Sequence, residues 1–249
     1  MKPMREMQTP LLYALLAAGL AASWQGLYWI NGGSALASPG QAVLTLGCMM
    51  QTSEFWLHAL ETGKALLYAL LIGLVGGLAA GLLLGVNRMA RDVSEPILLN
   101  MYAIPKVTLY PLVLLVFGLG LSAKVAFGVM HGIIPIMVFT MNAIRQMRPV
   151  LLRAGQSMRL TRRQSLLHIV LPAILPEITA GLRLAFSLTL LGVLIGEMFA
   201  SQRGLGFLLT NAMNLGDIRT IMAVALLLSV FALACNGGLM WLGRRLSPR

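Results

Sequence analysis

The sequence predicts an all-α integral membrane protein with about six transmembrane helices. Three observations carry this. Only 11% of the 249 residues are charged, 58% are hydrophobic, and the mean hydropathy is +0.82. A soluble domain carries about 25% charged residues, so much of this surface faces something other than water. Apolar runs recur at spanning length, about 20 residues for a ~30 Å hydrocarbon core. The basic residues gather in alternate connections between those runs.

The first run is Leu11–Ile30. Lys2 and Arg5 precede it, and Ala35-Leu36-Ala37 resembles a signal-peptidase site. A signal h-region spans only roughly 7–15 residues, and this run is longer and holds Trp24 and Trp29. An uncleaved first span is expected. Ala65–Val86 follows, then a segment from Ile97 to Leu119 interrupted by Pro105 and Pro111. The remaining runs are Ala123–Ala143, Ile178–Ala200 and Ile221–Leu242. The expected organisation is an N-terminal span and external loop over 1–60, then one membrane core over 61–245.

Orientation follows from charge. With the N-terminus inside, the cytoplasmic segments hold Lys2, Arg5, Arg88, Arg91, Arg145, Arg148, Arg153, Arg159, Arg162, Arg163, Arg244, Arg245 and Arg249. That is 13 of the 19 Lys and Arg residues. Both termini are therefore expected in the cytoplasm. The net charge of +11 is spread over short loops, which describes membrane topology and argues against a nucleic-acid face.

Gly73, Gly77, Gly81 and Gly85 recur every fourth residue in the second span. Such a row forms a helix-packing face, because small residues let backbones approach closely in lipid. Pro105 and Pro111 break the third segment. A broken helix in a membrane must lie against protein or a watery cavity, so this segment is a pointer to a translocation path. Lys106 beside the break either reaches headgroups or attracts an anionic solute. Glu197, near the outer end of the fifth span, reads as a structural pair or as a ligand contact at the outer mouth. Arg183, 14 residues earlier on the same helix, is about 21 Å away, and is expected to snorkel to the cytoplasmic surface.

His58, His131 and His168 lack metal-ligand spacing and read as structural. Cys48 and Cys235 read as buried thiols, and Trp56 and Tyr110 as interfacial anchors. No catalytic constellation and no metal site is assigned.

The longest cytoplasmic loop runs from Arg145 to Pro176 and is rich in arginine. Within it, Thr161-Arg162-Arg163-Gln164 has the form of a capping box. A short, partly apolar helix is expected to continue through Leu166, Ile169 and Leu171 and to end at Pro172. Arg162 and Arg163 would occupy its first turn, where the helix dipole disfavours cations. They either enforce topology or face an acidic partner.

This loop resembles the EAA loop of ABC importer permeases, whose pattern ends I-x-L-P. Ala154-Gly155 stand where the two alanines fall, and Ile169, Leu171 and Pro172 match the ending. Ser38-Pro39, Pro111-Leu112, Phe117-Gly118-Leu119-Gly120 and Lys124 match the nitrate/sulfonate/taurine group of these permeases. So do Gly181-Leu182-Arg183, Glu197 and Gly204-Leu205-Gly206. The matches run in order from about residue 38 to 206. The sequence departs from the pattern where Arg153 replaces the loop glutamate and Arg159 its glycine. These departures raise the idea of pairing with a second, less divergent permease.

The resemblance implies a type I importer subunit in a bacterial inner membrane. It implies that the Thr161–Leu171 helix docks on a cytoplasmic ATPase, with a second permease copy, the same chain or another, completing the pathway. An extracytoplasmic substrate-binding protein would deliver a small solute, an anion such as nitrate, sulfonate or taurine. The chain holds no G-x-x-x-x-G-K-[ST] loop, so ATP and Mg are expected on the partner and no cofactor in this chain. The alternative reading is an ion-coupled secondary transporter, which would show internal repeats and intramembrane acids. No clear repeat is visible, and Glu197 is the candidate acid.

Overall fold

A computed structural model describes residues 3–32 and 35–246. Lys2, Arg249 and the side chains of Arg5, Ala154 and Arg162 lie outside the described set. Among the described residues, eleven α-helices follow in chain order: α1 (Pro3–Asn31), α2 (Pro39–Met50), α3 (Ser53–Val86), α4 (Arg88–Ala103), α5 (Tyr110–Phe117), α6 (Leu121–Gln146), α7 (Pro149–Ser157), α8 (Arg162–Ser165), α9 (Leu171–Ala200), α10 (Leu205–Leu215) and α11 (Ile218–Leu246). A 3₁₀ turn (Lys106–Leu109) precedes α5, and a π-helical turn (Leu166–Val170) joins α8 to α9. No strand occurs among the described residues.

The chain divides into two compact units, Met1–Leu57 with Leu208–Val230, and His58–Phe207 with Phe231–Arg249. In the first unit, Leu12, Leu15, Leu16 and Leu20 of α1 are exposed, as a lipid-facing span requires. The Trp24 indole donates to the Ala37 carbonyl at 3.0 Å and holds the connection to α2. Ser38 and Gln41 form a reciprocal capping box, with Pro39 in the first turn. At 12 residues α2 is too short to span. The spanning-length criterion therefore passed over it, although Ser38-Pro39 was already visible as a motif.

The second unit is built on α6 and α9. Gly192 of α9 lies where a Cβ would come within 3.0 Å of His131 and Phe127, so the two helices run almost backbone to backbone. The glycine row of α3 lies along α6. A Cβ at Gly77 would stand 2.8 Å from Ile136, one at Gly81 2.7 Å from Thr140, and one at Gly85 2.7 Å from Ile144. Gly73 has more room, 4.0 Å from Ile133.

Among the described residues, four helical stretches are long and apolar enough to cross a membrane: Ser53–Val86, Leu121–Gln146, Arg163–Phe199 and Ile218–Arg245. The pair Arg88–Ala103 and Lys106–Phe117, bent by 84°, is a fifth candidate. α1, with 29 residues, covers the predicted first span. The bend has a local cause. Ile104 precedes Pro105, and the proline ring drives it out of the helical region to φ −64°, ψ 132°.

Three expectations are corrected. The helix that begins at Arg162 does not end at Pro172 but runs on as α9. The Leu171 N–H bonds back to the Leu166 carbonyl, one residue further than in an α-helix. This extra residue resets the ladder just before the proline, whose missing donor falls in the first turn of α9, where it costs little. Tyr110 is no interfacial anchor: it is 4% exposed, and its hydroxyl donates to the Gly196 carbonyl at 2.7 Å. Cys48 is exposed and Cys235 half-buried, both free thiols; Cys235 packs at the edge of the Leu66, Phe186 and Leu190 cluster.

Candidate functional site

Two regions at opposite ends of α9 concentrate the polar residues of the second unit. At the C-terminal end, Glu197 has no exposed surface and Lys124 is 2% exposed. Burying a carboxylate is expensive unless it is paired and hydrogen-bonded. Here the Thr62 hydroxyl donates to it, 2.8 Å to Oε2 and 3.0 Å to Oε1. The Gly206 N–H donates to Oε2 at 3.0 Å, and Lys124 Nζ stands 3.9 Å from Oε1. The same ammonium donates to the Arg203 carbonyl at 2.9 Å and to Glu61 Oε1 at 3.4 Å.

The loop after α9 closes over this carboxylate. The Leu205 N–H donates to the Thr62 hydroxyl at 2.8 Å, and the Gly204 N–H to His58 Nδ1 at 3.0 Å. Gly204 holds φ +129°, and a Cβ there would overlap the Glu197 carboxyl group. A Cβ at Gly206 would overlap the Leu194 carbonyl. The spacing Gly-Leu-Gly is thus what lets the chain turn across a buried anion. Beside it lies a cavity of about 580 Å³ lined by Glu61, Lys124, Ser201, Gln202, Arg203 and Phe199, among others.

At the other end, α7 finishes in a turn whose geometry explains a departure noted in the sequence. The Leu160 N–H donates to the Gly155 carbonyl at 3.1 Å, and Arg159 holds φ +50°. This is a Schellman ending with arginine in the left-handed position that glycine usually fills. Arg159 is the one non-glycine with positive φ among the described residues. Gly155 is buried, and a Cβ there would come 2.7 Å from Ile169, so α7 lies against the π turn.

Next, Thr161 caps α8. Its hydroxyl accepts from the Gln164 N–H at 3.3 Å, and the Gln164 side chain accepts from the Thr161 N–H at 2.9 Å. Arg153, Arg163 and Pro172 are exposed, as are Leu166 (36%) and Leu167 (47%). Ile169 and Leu171 are half-buried. The Arg163–Phe199 stretch holds 37 residues, about 55 Å of helix, which is longer than the ~30 Å of hydrocarbon.

Lys106 stays on its own helix end: Nζ donates to the Tyr102 carbonyl at 3.2 Å and sits 4.8 Å from the centre of that ring. Arg183 is half-buried, and its Nε is fully enclosed without a hydrogen-bond partner. No cluster of three or more His, Cys, Asp or Glu placed for a metal occurs among the described residues. In the sequence Lys124 stands out only as part of the stretch that resembles the permease motif, and Thr62 does not stand out. The signal for Lys124 was present, since it follows the Phe117–Gly120 motif. For Thr62 there was none, because its partner is 135 residues away.

A chain that is helical among its described residues, with several apolar stretches of spanning length, is a multi-pass membrane protein. The chain belongs to the family described as binding-protein-dependent transport system inner membrane component, which matches residues 73–249. Similar proteins include the taurine transport system permease protein TauC of Escherichia coli K12, 27% identical over 79% of this chain and 71% of its own length. The riboflavin transport system permease protein RibX of Chloroflexus aurantiacus is 29% identical over 84% of this chain and 79% of its own. The nitrate import permease protein NrtB of Synechococcus elongatus is 24% identical over 68% and 61%. Inward-facing structures of the MetNI methionine ABC transporter share the fold. One superposes with a TM-score of 0.68 at 21% identity over 78% of this chain and 97% of that one.

Proposed function

We propose that this ABC importer permease forms half of the translocation pathway for a small anion such as nitrate, a sulfonate or taurine. A second permease copy, identical or different, supplies the other half. A cytoplasmic ATPase that carries ATP and Mg drives the cycle, and an extracytoplasmic substrate-binding protein delivers the solute. The chain sits in a bacterial inner membrane with both termini cytoplasmic. In this reading residues 61–245 are the permease core, and residues 1–60 the N-terminal span and external loop.

The observation that carries the reading is the exposed pair Leu166 and Leu167 on a sharply capped turn, where α9 outruns the bilayer. Two large apolar side chains in water beside Arg153, Arg159 and Arg163 suit a partner groove with acidic rims. In the cycle, closure of two ATPases would pull on this turn. Because the turn is continuous with α9, the motion would pass along a rigid helix into the membrane. The Glu197–Lys124 knot would keep the far end of that helix closed onto α3 and α6. The anion reading is supported by the taurine and nitrate relatives.

The test is a pull-down of the tagged chain from its native host in mild detergent, with mass spectrometry of what co-purifies. The expected result is a stoichiometric ATPase bearing a nucleotide-binding loop, with a second permease at equal amount if the pathway is heteromeric. A chain that comes down alone in good yield would overturn the reading.

A further inference from the structure

Arg183 is a cation inside an apolar span with no partner among the described residues. Its guanidinium makes no hydrogen bond or ion pair among the described residues, and its Nε is enclosed. Phe199, the outer end of the candidate span, is 16 residues further on, about 24 Å along the helix. A ~30 Å hydrocarbon layer measured from there reaches past Arg183 toward Thr179.

The polar character continues deeper. The Ser187 hydroxyl, one turn on, lies 3.4 Å from the Arg183 carbonyl and accepts from Asn236 Nδ2 of α11 at 3.0 Å. Around these residues Ala180, Leu184 and Leu191 leave the same side of α9 open. A strip of arginine, serine and asparagine at membrane depth does not face lipid tails. It faces a watery cavity or another protein chain.

We propose that Arg183, with Ser187 and Asn236 beside it, binds the oxyanion of the transported solute on the open face of α9 and so selects anionic cargo. The inference rests on the anion reading given above. A guanidinium suits the role because its donors lie in a plane that matches a sulfonate, a nitrate or a carboxylate. A lipid phosphate has the same chemistry, and the test separates the two sources.

The complete importer, with its ATPase and binding protein, is reconstituted in phosphatidylcholine vesicles and given labelled ethanesulfonate, nitrate or riboflavin. The readout is solute moved per ATP hydrolysed. For the transported anion, R183Q is expected to lower this ratio at least about tenfold, whereas R183K stays within about threefold of wild type. An anion ratio unchanged in R183Q overturns the inference and leaves the anion reading standing. A wild-type importer that moves riboflavin and neither anion overturns both. R183Q and R183K that fail equally point to a lipid or packing role and overturn the inference. If R183Q does not assemble, R183H decides: relative to wild type, its ratio should fall at least about fivefold between about pH 5.5 and 8.5 as imidazole loses its charge. A flat R183H profile overturns the inference.

Discussion

At its C-terminal end α9 carries a carboxylate with no exposed surface, closed in by a hydroxyl, a backbone N–H and an ammonium. At its N-terminal end the same helical run carries exposed arginines and leucines, next to a turn that holds one arginine in a left-handed conformation. The knot satisfies its polar groups within the chain. The turn at the N-terminal end leaves apolar surface uncovered, which costs free energy until something covers it. The contrast teaches that the two ends of one helix differ in which of them completes its own contacts, as the proposed anchor and lever roles require.

The comparison breaks most visibly at the knot. Glu197→Ala removes one partner of a buried pair and leaves the Thr62 and Gly206 donors unmet, a loss of about 3–5 kcal/mol. Fluorescence-detected size-exclusion after a heat step should show a collapsed midpoint. Glu197→Gln, which keeps acceptor and shape, should lose less. Gly204→Ala attacks the same place through the backbone. Positive φ alone costs about 1–3 kcal/mol, and overlap with the Glu197 carboxyl adds to it, so its yield of folded protein should fall well below that of an Arg203→Ala control.

Between the two ends, Gly81→Leu tests the helix contact that holds α3 on α6. Overpacking at this site should cost about 1–3 kcal/mol, read in the same thermal assay. At the Leu166 turn the effect changes kind. Leu166→Asp should abolish solute uptake while moving stability by no more than about 0.5 kcal/mol. A stability loss as large as that at Glu197 would mean that the turn is core rather than contact surface. The smallest expected effect is a gain: Arg159→Gly relieves the left-handed strain and should stabilise the chain by about 0.5–1 kcal/mol.

How much of this was legible in the sequence follows from the reach of each interaction. The capping box at Thr161 is a three-residue signal. The break at Ile104-Pro105 is a two-residue one. The strain at Arg159 could be anticipated because one residue type is at odds with one turn. The knot was not legible as a knot, because Lys124 reaches Glu61 across 63 positions and Thr62 reaches Glu197 across 135. Only the pieces stood out: an acid in a membrane span and a Gly-Leu-Gly seven residues beyond it. The passage of the helix through Pro172 was hidden for another reason. A proline usually stops a helix, and only the π turn, a backbone rearrangement with no side-chain signature here, carries the chain past it.

The most direct test of the account places a photo-crosslinking side chain at Leu166 in one variant and at Gln202 in another, in cells that express the complete importer. The account predicts that position 166 captures a nucleotide-binding subunit and position 202 does not. Capture of that subunit from position 202, or its absence from position 166 in an assembled complex, would contradict the assignment of the two ends.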